Sequence, residues 1–209
     1  MNNVNVFEQR PADAYAESPL HHAGLEGLIG KGPASAGIKL REKKLLGHLT
    51  LRGEPDDQAF ARGVQAALGM ALPGALEVIC EGDRSLQWLS ADEWLLIVPG
   101  GEEFTVEQKL RQALAGVHHA VMNVSGGQTL LELSGPNVGE LLMKSSVYDV
   151  HPGNFPVGKA VGTLFAKSQL VIRHTAPETW ELVVRRSFAD YIWLWLQDAS
   201  AEYGLAVSR

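Results

Sequence analysis

The sequence predicts an α+β protein: two fused ferredoxin-like β-α-β-β-α-β halves, about residues 38–125 and 126–209, forming one compact unit behind an extended N-terminal arm, residues 1–37. Three observations predict it. Residues 121–144, VMNVSGGQTLLELSGPNVGELLMK, read as strand, tight turn, strand and capped helix. The runs before that stretch follow the order β-α-β-β-α-β, and the runs after it repeat that order of elements. The chain closes on a strongly amphipathic helix.

The arm shows no period. It is rich in Pro, Gly, Ala and Asn, with apolar islands at residues 4–7, Leu20 and residues 25–29. Such islands favour an arm tied down on another surface over a frayed one. Residues 45–52 (LLGHLTLR) read as a strand, broken by Gly53-Glu54-Pro55. Asp56 or Asp57 then opens a helix carrying Phe60, Val64, Ala67 and Leu68, and Gly69 suits its C-terminal cap. A short extended piece covers residues 75–80. The runs 85–89 and 93–98 pair across Ser90-Ala91-Asp92 as a hairpin. Thr105 looks like the N-cap of a helix with Val106, Leu110 and Leu114 on one face, ended by Gly116.

Residues 119–125 form the next strand. Gly126-Gly127 permits a sharp reversal into residues 129–133, because glycine tolerates positive φ. Ser134 or Gly135 caps the following helix, with Pro136 near its first position and Val138, Leu141 and Leu142 as its apolar stripe. Residues 161–165 and 169–174 pair as a second hairpin, and residues 180–185 (WELVVR) add a strand. In the last helix Ser187 and Asp190 suit a capping box. Phe188, Tyr191, Ile192, Trp195, Leu196 and Ala199 fall on one side, with Trp193 opposite. Trp193 there marks either a subunit interface or a ring lying flat on a loop of its own chain.

Composition narrows the function. A chain of 209 residues with 45% hydrophobic content can bury a real core, and a formal net charge of −6 argues against a nucleic-acid partner. The one basic cluster, Lys39, Arg41, Lys43 and Lys44, reads as a solvated strand edge. The single cysteine, Cys80, rules out a disulfide within the chain and suits a reducing cytoplasm. It reads as a small buried hydrophobe. No apolar run is long enough to span a membrane, and the N-terminus lacks the layout of a secretion signal.

No reactive constellation announces itself. The histidine pairs His21-His22 and His118-His119 would point to opposite faces of a strand, and neither C-x-x-C nor H-E-x-x-H occurs. The G-x-S-x-G elbow and the phosphate-binding glycine loops are missing. Pro33 removes a donor from the glycine-rich stretch 30–33. The carboxylate pairs Asp56-Asp57 and Asp92-Glu93 sit at element starts, where capping explains them.

Several segments together resemble the gamma subunit family of heterotetrameric sarcosine oxidase: SPL at 18–20, LSADEWLLIVP at 89–99, NVSGGQTLLELSGPNVGELLMK at 123–144, HPGNFPVGKAVGTLF at 151–165 and RRSFADYIWLWLQDASAEYG at 185–204. The resemblance implies oxidative demethylation of sarcosine to glycine with oxygen. Hydrogen peroxide is formed, and the one-carbon unit leaves as formaldehyde or as methylenetetrahydrofolate. It also implies alpha, beta and delta partner subunits, with FAD, FMN and NAD on alpha and beta and zinc on delta. Gamma carries no known cofactor and packs chiefly against the folate-binding end of alpha. On this chain no catalytic, cofactor-binding or metal residue is expected. Val4, Phe7, Leu20 and Trp193 are the candidate subunit contacts.

A more distant resemblance is to the N-terminal part of the aminomethyltransferase (T-protein) family, whose D-x-S-H strand motif reads Asn123-Val124-Ser125-Gly126 here. An asparagine cannot serve as a carboxylate base. The alternatives are a folate-dependent enzyme of that class and a gamma subunit of a sister complex oxidising a related amino acid.

Overall fold

The computed structural model describes residues 16–209. In chain order its main elements are β1 (Ile38–Lys43), β2 (Gly47–Gly53), α1 (Gln58–Leu68), β3 (Val78–Glu81), β4 (Arg84–Ser90), β5 (Glu93–Val98), α2 (Glu103–Ala113), β6 (His119–Asn123), β7 (Gln128–Ser134), α3 (Val138–Ser145), β8 (Ala160–Phe165), β9 (Ser168–Ala176), β10 (Thr179–Arg185), α4 (Ala189–Ala199) and β11 (Leu205–Val207). The strands form a six-stranded sheet, ordered β11-β1-β7-β10-β9-β8, and a five-stranded sheet, ordered β3-β4-β5-β2-β6. β1 and β11 run parallel, and the other paired strands are antiparallel.

Side-chain alternation stacks these sheets into four layers. On the outer face of the smaller sheet, Leu49, Leu51, Trp94 and Leu96 meet Phe60 and Val64 of α1 and Val106 and Leu110 of α2. On the outer face of the larger sheet, Leu131, Leu133, Ile172 and Leu182 meet Leu141 and Leu142 of α3 and Ile192 and Leu196 of α4. The two inner faces meet through a much smaller apolar contact of Leu95, Ile97, Leu130 and Val183.

The arm is tied down on its own chain from residue 16 onward. It makes two 3-10 turns, His21–Ala23 and Leu25–Leu28, and buries Leu20 and Leu25 in the larger core. Its anchor is Glu42 on β1. That buried carboxylate accepts from Ser18 Oγ at 2.9 Å, from Thr129 Oγ1 at 2.9 Å and from the Leu20 N–H at 3.4 Å. Three donors around one carboxylate satisfy a charge that burial would otherwise penalise.

Several local expectations are met. Asp57 caps α1, accepting from the Ala59 N–H at 2.7 Å, and Gly69 ends it at φ +79°. The hairpin β4–β5 turns where the sequence places it. Gly135, at φ +122°, could not be any other residue: a Cβ there would sit 2.4 Å from the Gly37 carbonyl oxygen.

Other expectations are corrected. β1, assigned by sequence to the first half, pairs in the sheet of the later residues. It lies between β11 and β7, so its lysines and arginine do not line a sheet edge. Leu45 belongs to the turn before β2, at φ +55°. Cys80 is exposed on the edge strand β3, because its side chain stands on the inner face beside Ser85 and opens into the cleft between the sheets. Thr105 lies inside α2, and neither α2, α3 nor α4 has a side-chain cap. Ser187 sits in a 3-10 turn, Arg186–Phe188, that precedes α4.

Candidate functional site

Of the four candidate contact residues, Val4 and Phe7 lie outside the described residues. Leu20 and Trp193 are 1% and 6% exposed, both within the larger core. The inward line of α4 runs Ala189, Ile192, Trp193, Leu196 and Ala199, so Trp193 packs inside its own chain. Phe188 and Leu194 are left outside instead. The sequence wheel was rotated because it took Phe188 as a helical core position, whereas Phe188 belongs to the preceding 3-10 turn.

The turn at Asn123-Val124-Ser125-Gly126 is a structural clamp. Asn123 Oδ1 accepts from the Ser125 N–H at 3.0 Å, an Asx turn, and Gly126 takes φ +82°. Ser125 Oγ accepts from the His48 N–H at 2.9 Å, where β2 begins. The Asn123 side chain is thus spent on backbone geometry. As a neutral amide it has no proton to take up at ordinary pH.

The main polar feature lies between the sheets. One residue from each of four neighbouring strands stands in register across the larger sheet: Arg41, Glu132, Glu181 and Arg173. Lys43 Nζ bridges the two carboxylates, at 3.0 Å from Glu132 and 2.6 Å from Glu181. Arg41 Nη2 donates to Glu132 at 2.8 Å. Arg173, 2% exposed, donates from Nε and Nη2 to Glu181, and its Nη1 crosses to the other sheet, reaching Ser85 Oγ at 2.8 Å and Gln87 Oε1 at 3.0 Å. A cleft of about 640 Å³ opens over this ladder, also lined by Cys80, Asp83 and Arg84.

Electrostatics follow from this packing. Burial alone would raise the Glu181 carboxyl, but Arg173 and Lys43 override it and hold it below the usual range. Burial alone would lower the Lys43 ammonium, but Glu181 and Glu132 raise it above its ordinary value. His48, 1% exposed on the inner face of β2, is pushed down to about 4 by burial, partly opposed by its hydrogen bond to the Leu46 carbonyl. It is therefore neutral at pH 7 and donates from Nδ1. The ladder is a set of mutually paired charges. Ser85, its one hydroxyl, is bonded to Arg173 rather than to a base, so nothing activates it as a nucleophile. Among the described residues no group of three His, Cys, Asp or Glu side chains is placed to hold a metal ion.

Sequence reasoning missed Arg173, Glu181, Glu42 and His48. The visible signal was a charge inside an apolar run, Glu181 in WELVVR and Arg173 in QLVIRHT. Their partners become visible only when strands distant in sequence are set in register.

Two stacked sheets with helices outside, and a strand–Asx turn–strand–helix unit joining them, place the chain in the aminomethyltransferase fold class. Its structure superposes on the glycine cleavage system aminomethyltransferase T of Bartonella henselae with a TM-score of 0.65 at 14% identity, covering 93% of this chain and 59% of that one, a likeness of fold alone. Within that class the chain belongs to the sarcosine oxidase, gamma subunit family, whose model matches residues 52–202. It is 33% identical to the sarcosine oxidase subunit gamma of Corynebacterium sp. (strain P-1) over 189 residues, 89% of this chain and 90% of that protein. The subunit gamma of an Arthrobacter species is also 33% identical, over the same shares of both chains. A chain of the heterotetrameric sarcosine oxidase from Corynebacterium sp. U-96, solved with pyrrole 2-carboxylate, matches with a TM-score of 0.80 and 29% identity, covering 90% of this chain and 96% of that one.

Proposed function

We propose that this chain, as the gamma subunit of a heterotetrameric sarcosine oxidase, has a structural and assembly role with no reacting group of its own. It supports the oxidative demethylation of sarcosine to glycine by packing against alpha, beta and delta subunits, chiefly alpha. FAD, FMN, NAD, zinc and tetrahydrofolate are held by those partners in a cytoplasmic complex. The observation that carries this reading is the Asn123 turn. The likeness to gamma subunits spans nearly the whole of both chains, and the position that bears aspartate in the transferase motif holds an amide committed to the Ser125 N–H.

The topology supports reading the chain as two ferredoxin-like halves meeting near residue 125. β2, α1, β4, β5, α2 and β6 wind the smaller sheet in β-α-β-β-α-β order. β7, α3, β9, β10 and α4 begin the same order on the larger sheet, where β1 takes the last strand's place and β11 lies beyond it. Residues 1–15 lead into the docked part of the arm and include Val4 and Phe7, which remain contact candidates.

Co-expression with the other three subunits tests the assignment. A yellow complex with sarcosine-dependent oxygen uptake is expected, and a colourless, inactive chain when it is purified alone. Turnover by the solitary chain, or purification from its native host without a flavoprotein, overturns it.

A further inference from the structure

Along β10 the inward residues run Glu181, Val183 and Arg185, so the charged ladder gives way to the apolar contact and then to a second cation. Around Arg185 a groove of about 350 Å³ opens between the sheets, with Leu89 and Leu95 of the smaller sheet on one side and Leu164, Val171 and Val183 of the larger on the other. Its apolar wall is uncovered. Leu164 is 44% exposed, and Val147, whose N–H donates to the Leu164 carbonyl at 3.4 Å, is 78% exposed.

The charge of this groove is one-sided. No Asp or Glu lines it. Among the described residues the exposed Arg185 side chain has no carboxylate partner. Lys167, exposed at the tip of the β8–β9 hairpin that carries Leu164 and Val171, is equally unpaired among them. From Ala160 to Ala176 that hairpin contains no acidic residue, in a chain whose formal net charge is −6. Glu93, the next inward residue of β5 after Leu95, stands opposite Arg52 on β2 instead. The ladder is the contrast, since Arg41, Lys43 and Arg173 each hold a carboxylate there.

We infer that the groove is a docking site for an acidic segment of a partner subunit: a large apolar side chain of that segment enters between Leu89 and Leu164, and a neighbouring Asp or Glu pairs with Arg185. This rests on the reading of the chain as an assembled subunit. The apolar walls supply the anchor. The unmatched cations select the sign of the segment, because a second cation would be repelled and a neutral one would leave the guanidinium without an acceptor. A carboxylate also suits the forked donors of an arginine.

Photo-crosslinking in the four-subunit complex tests it. With Leu164→p-benzoylphenylalanine, the label is expected on a peptide of a partner subunit that carries an Asp or Glu beside a large apolar residue. Arg185→Glu, a change at an exposed position, is expected to weaken assembly about tenfold at unchanged Tm, and exchanging the labelled acid for lysine is expected to restore it. If the complex forms but no partner peptide is labelled, if the labelled peptide has no acidic residue, if Arg185→Glu assembles normally, or if the charge exchange restores nothing, the docking site is wrong and the subunit assignment stands. Labelling of residues 1–15 of the same chain, or of a second copy, makes that the occupant and overturns the inference. If the chain without either substitution forms no complex with the other three subunits, both readings fall together.

Discussion

The helix-facing sides of the two sheets and the sides that face each other are built on different principles. Outside, alternate residues of each strand are apolar, and two large cores close over Phe60, Trp94, Phe155 and Trp180 with few polar groups. Inside, four apolar residues share the interface with Arg173, Glu181, Lys43, Glu132, Gln87 and His48. Apolar burial is non-directional and sets stability by area. A polar interface is satisfied in one arrangement and penalised in others, so it fixes how the two sheets align. The outer layers hold the protein together, and the inner one holds it in register.

The largest effect that separates these principles is at Arg173. Arg173→Met removes the guanidinium that ties Glu181 to Ser85 and Gln87, and is expected to cost about 3–5 kcal/mol in denaturant unfolding. The double variant Arg173→Met, Glu181→Leu should recover most of that loss, since an apolar pair carries no desolvation cost and Lys43 retains Glu132. An outer-layer truncation such as Phe155→Ala has no comparable rescue, because its cost is a cavity rather than an unpaired charge. Equal loss in the single and double variants would show that the inner layer depends on packing alone.

Acid should find the inner layer first. Burial holds the His48 imidazole at about 4, down from its ordinary value of 6.5. As pH falls through that interval the unfolded chain takes up a proton that the folded chain refuses. Its contribution is complete above pH 6.5 and is lost down to about pH 4, roughly 3 kcal/mol in all. Glu181, lowered from 4.5, acts with the same sign in a lower window: its contribution is present above 4.5 and lost as pH falls through its native value. Thermal melts between pH 7 and 4 check this. His48→Asn should flatten the upper window and leave the lower one.

The same division explains what could be read from the sequence. The outer faces were legible. Phe60, Val64, Leu110, Leu141 and Leu196 announce themselves by periodicity, and the hairpin at Ser90-Ala91-Asp92 by its turn residues. The inner face was not, because Arg173 meets Ser85 and Gln87 only through sheet stacking. The placement of β1 was also hidden. Its local pattern suits either sheet, and only long-range pairing with β7 decides. Trp193 was turned outward because Phe188, which lies in the 3-10 turn before α4, was counted with the buried stripe and centred that stripe on the wrong side of the helix. The family resemblance reached gamma-subunit membership, which no pattern of charges or periods could supply.

The smallest predicted effect is at the one place where the outer layer borrows the inner layer's method. Glu42 points away from the cleft into the larger core, and among the described residues Ser18, Leu20 and Thr129 are its hydrogen-bond donors. Ser18→Ala removes one of the three, and the carboxylate is too buried for water to replace it freely. The expected cost is about 1.5–2 kcal/mol, at the lower end of the range for a hydrogen bond to a charged acceptor. Its location matters more than its size. If the anchor holds only the arm, limited proteolysis should reach residues 21–29 sooner while the melting of the two sheets stays nearly unchanged. If Leu20 and Leu25 are cooperative with the core they enter, Tm should fall with no separate loosening of the arm. Truncation sharpens the same point: removing residues 1–15 spares Ser18 and should leave the melt intact, whereas removing residues 1–20 deletes a core leucine and should not.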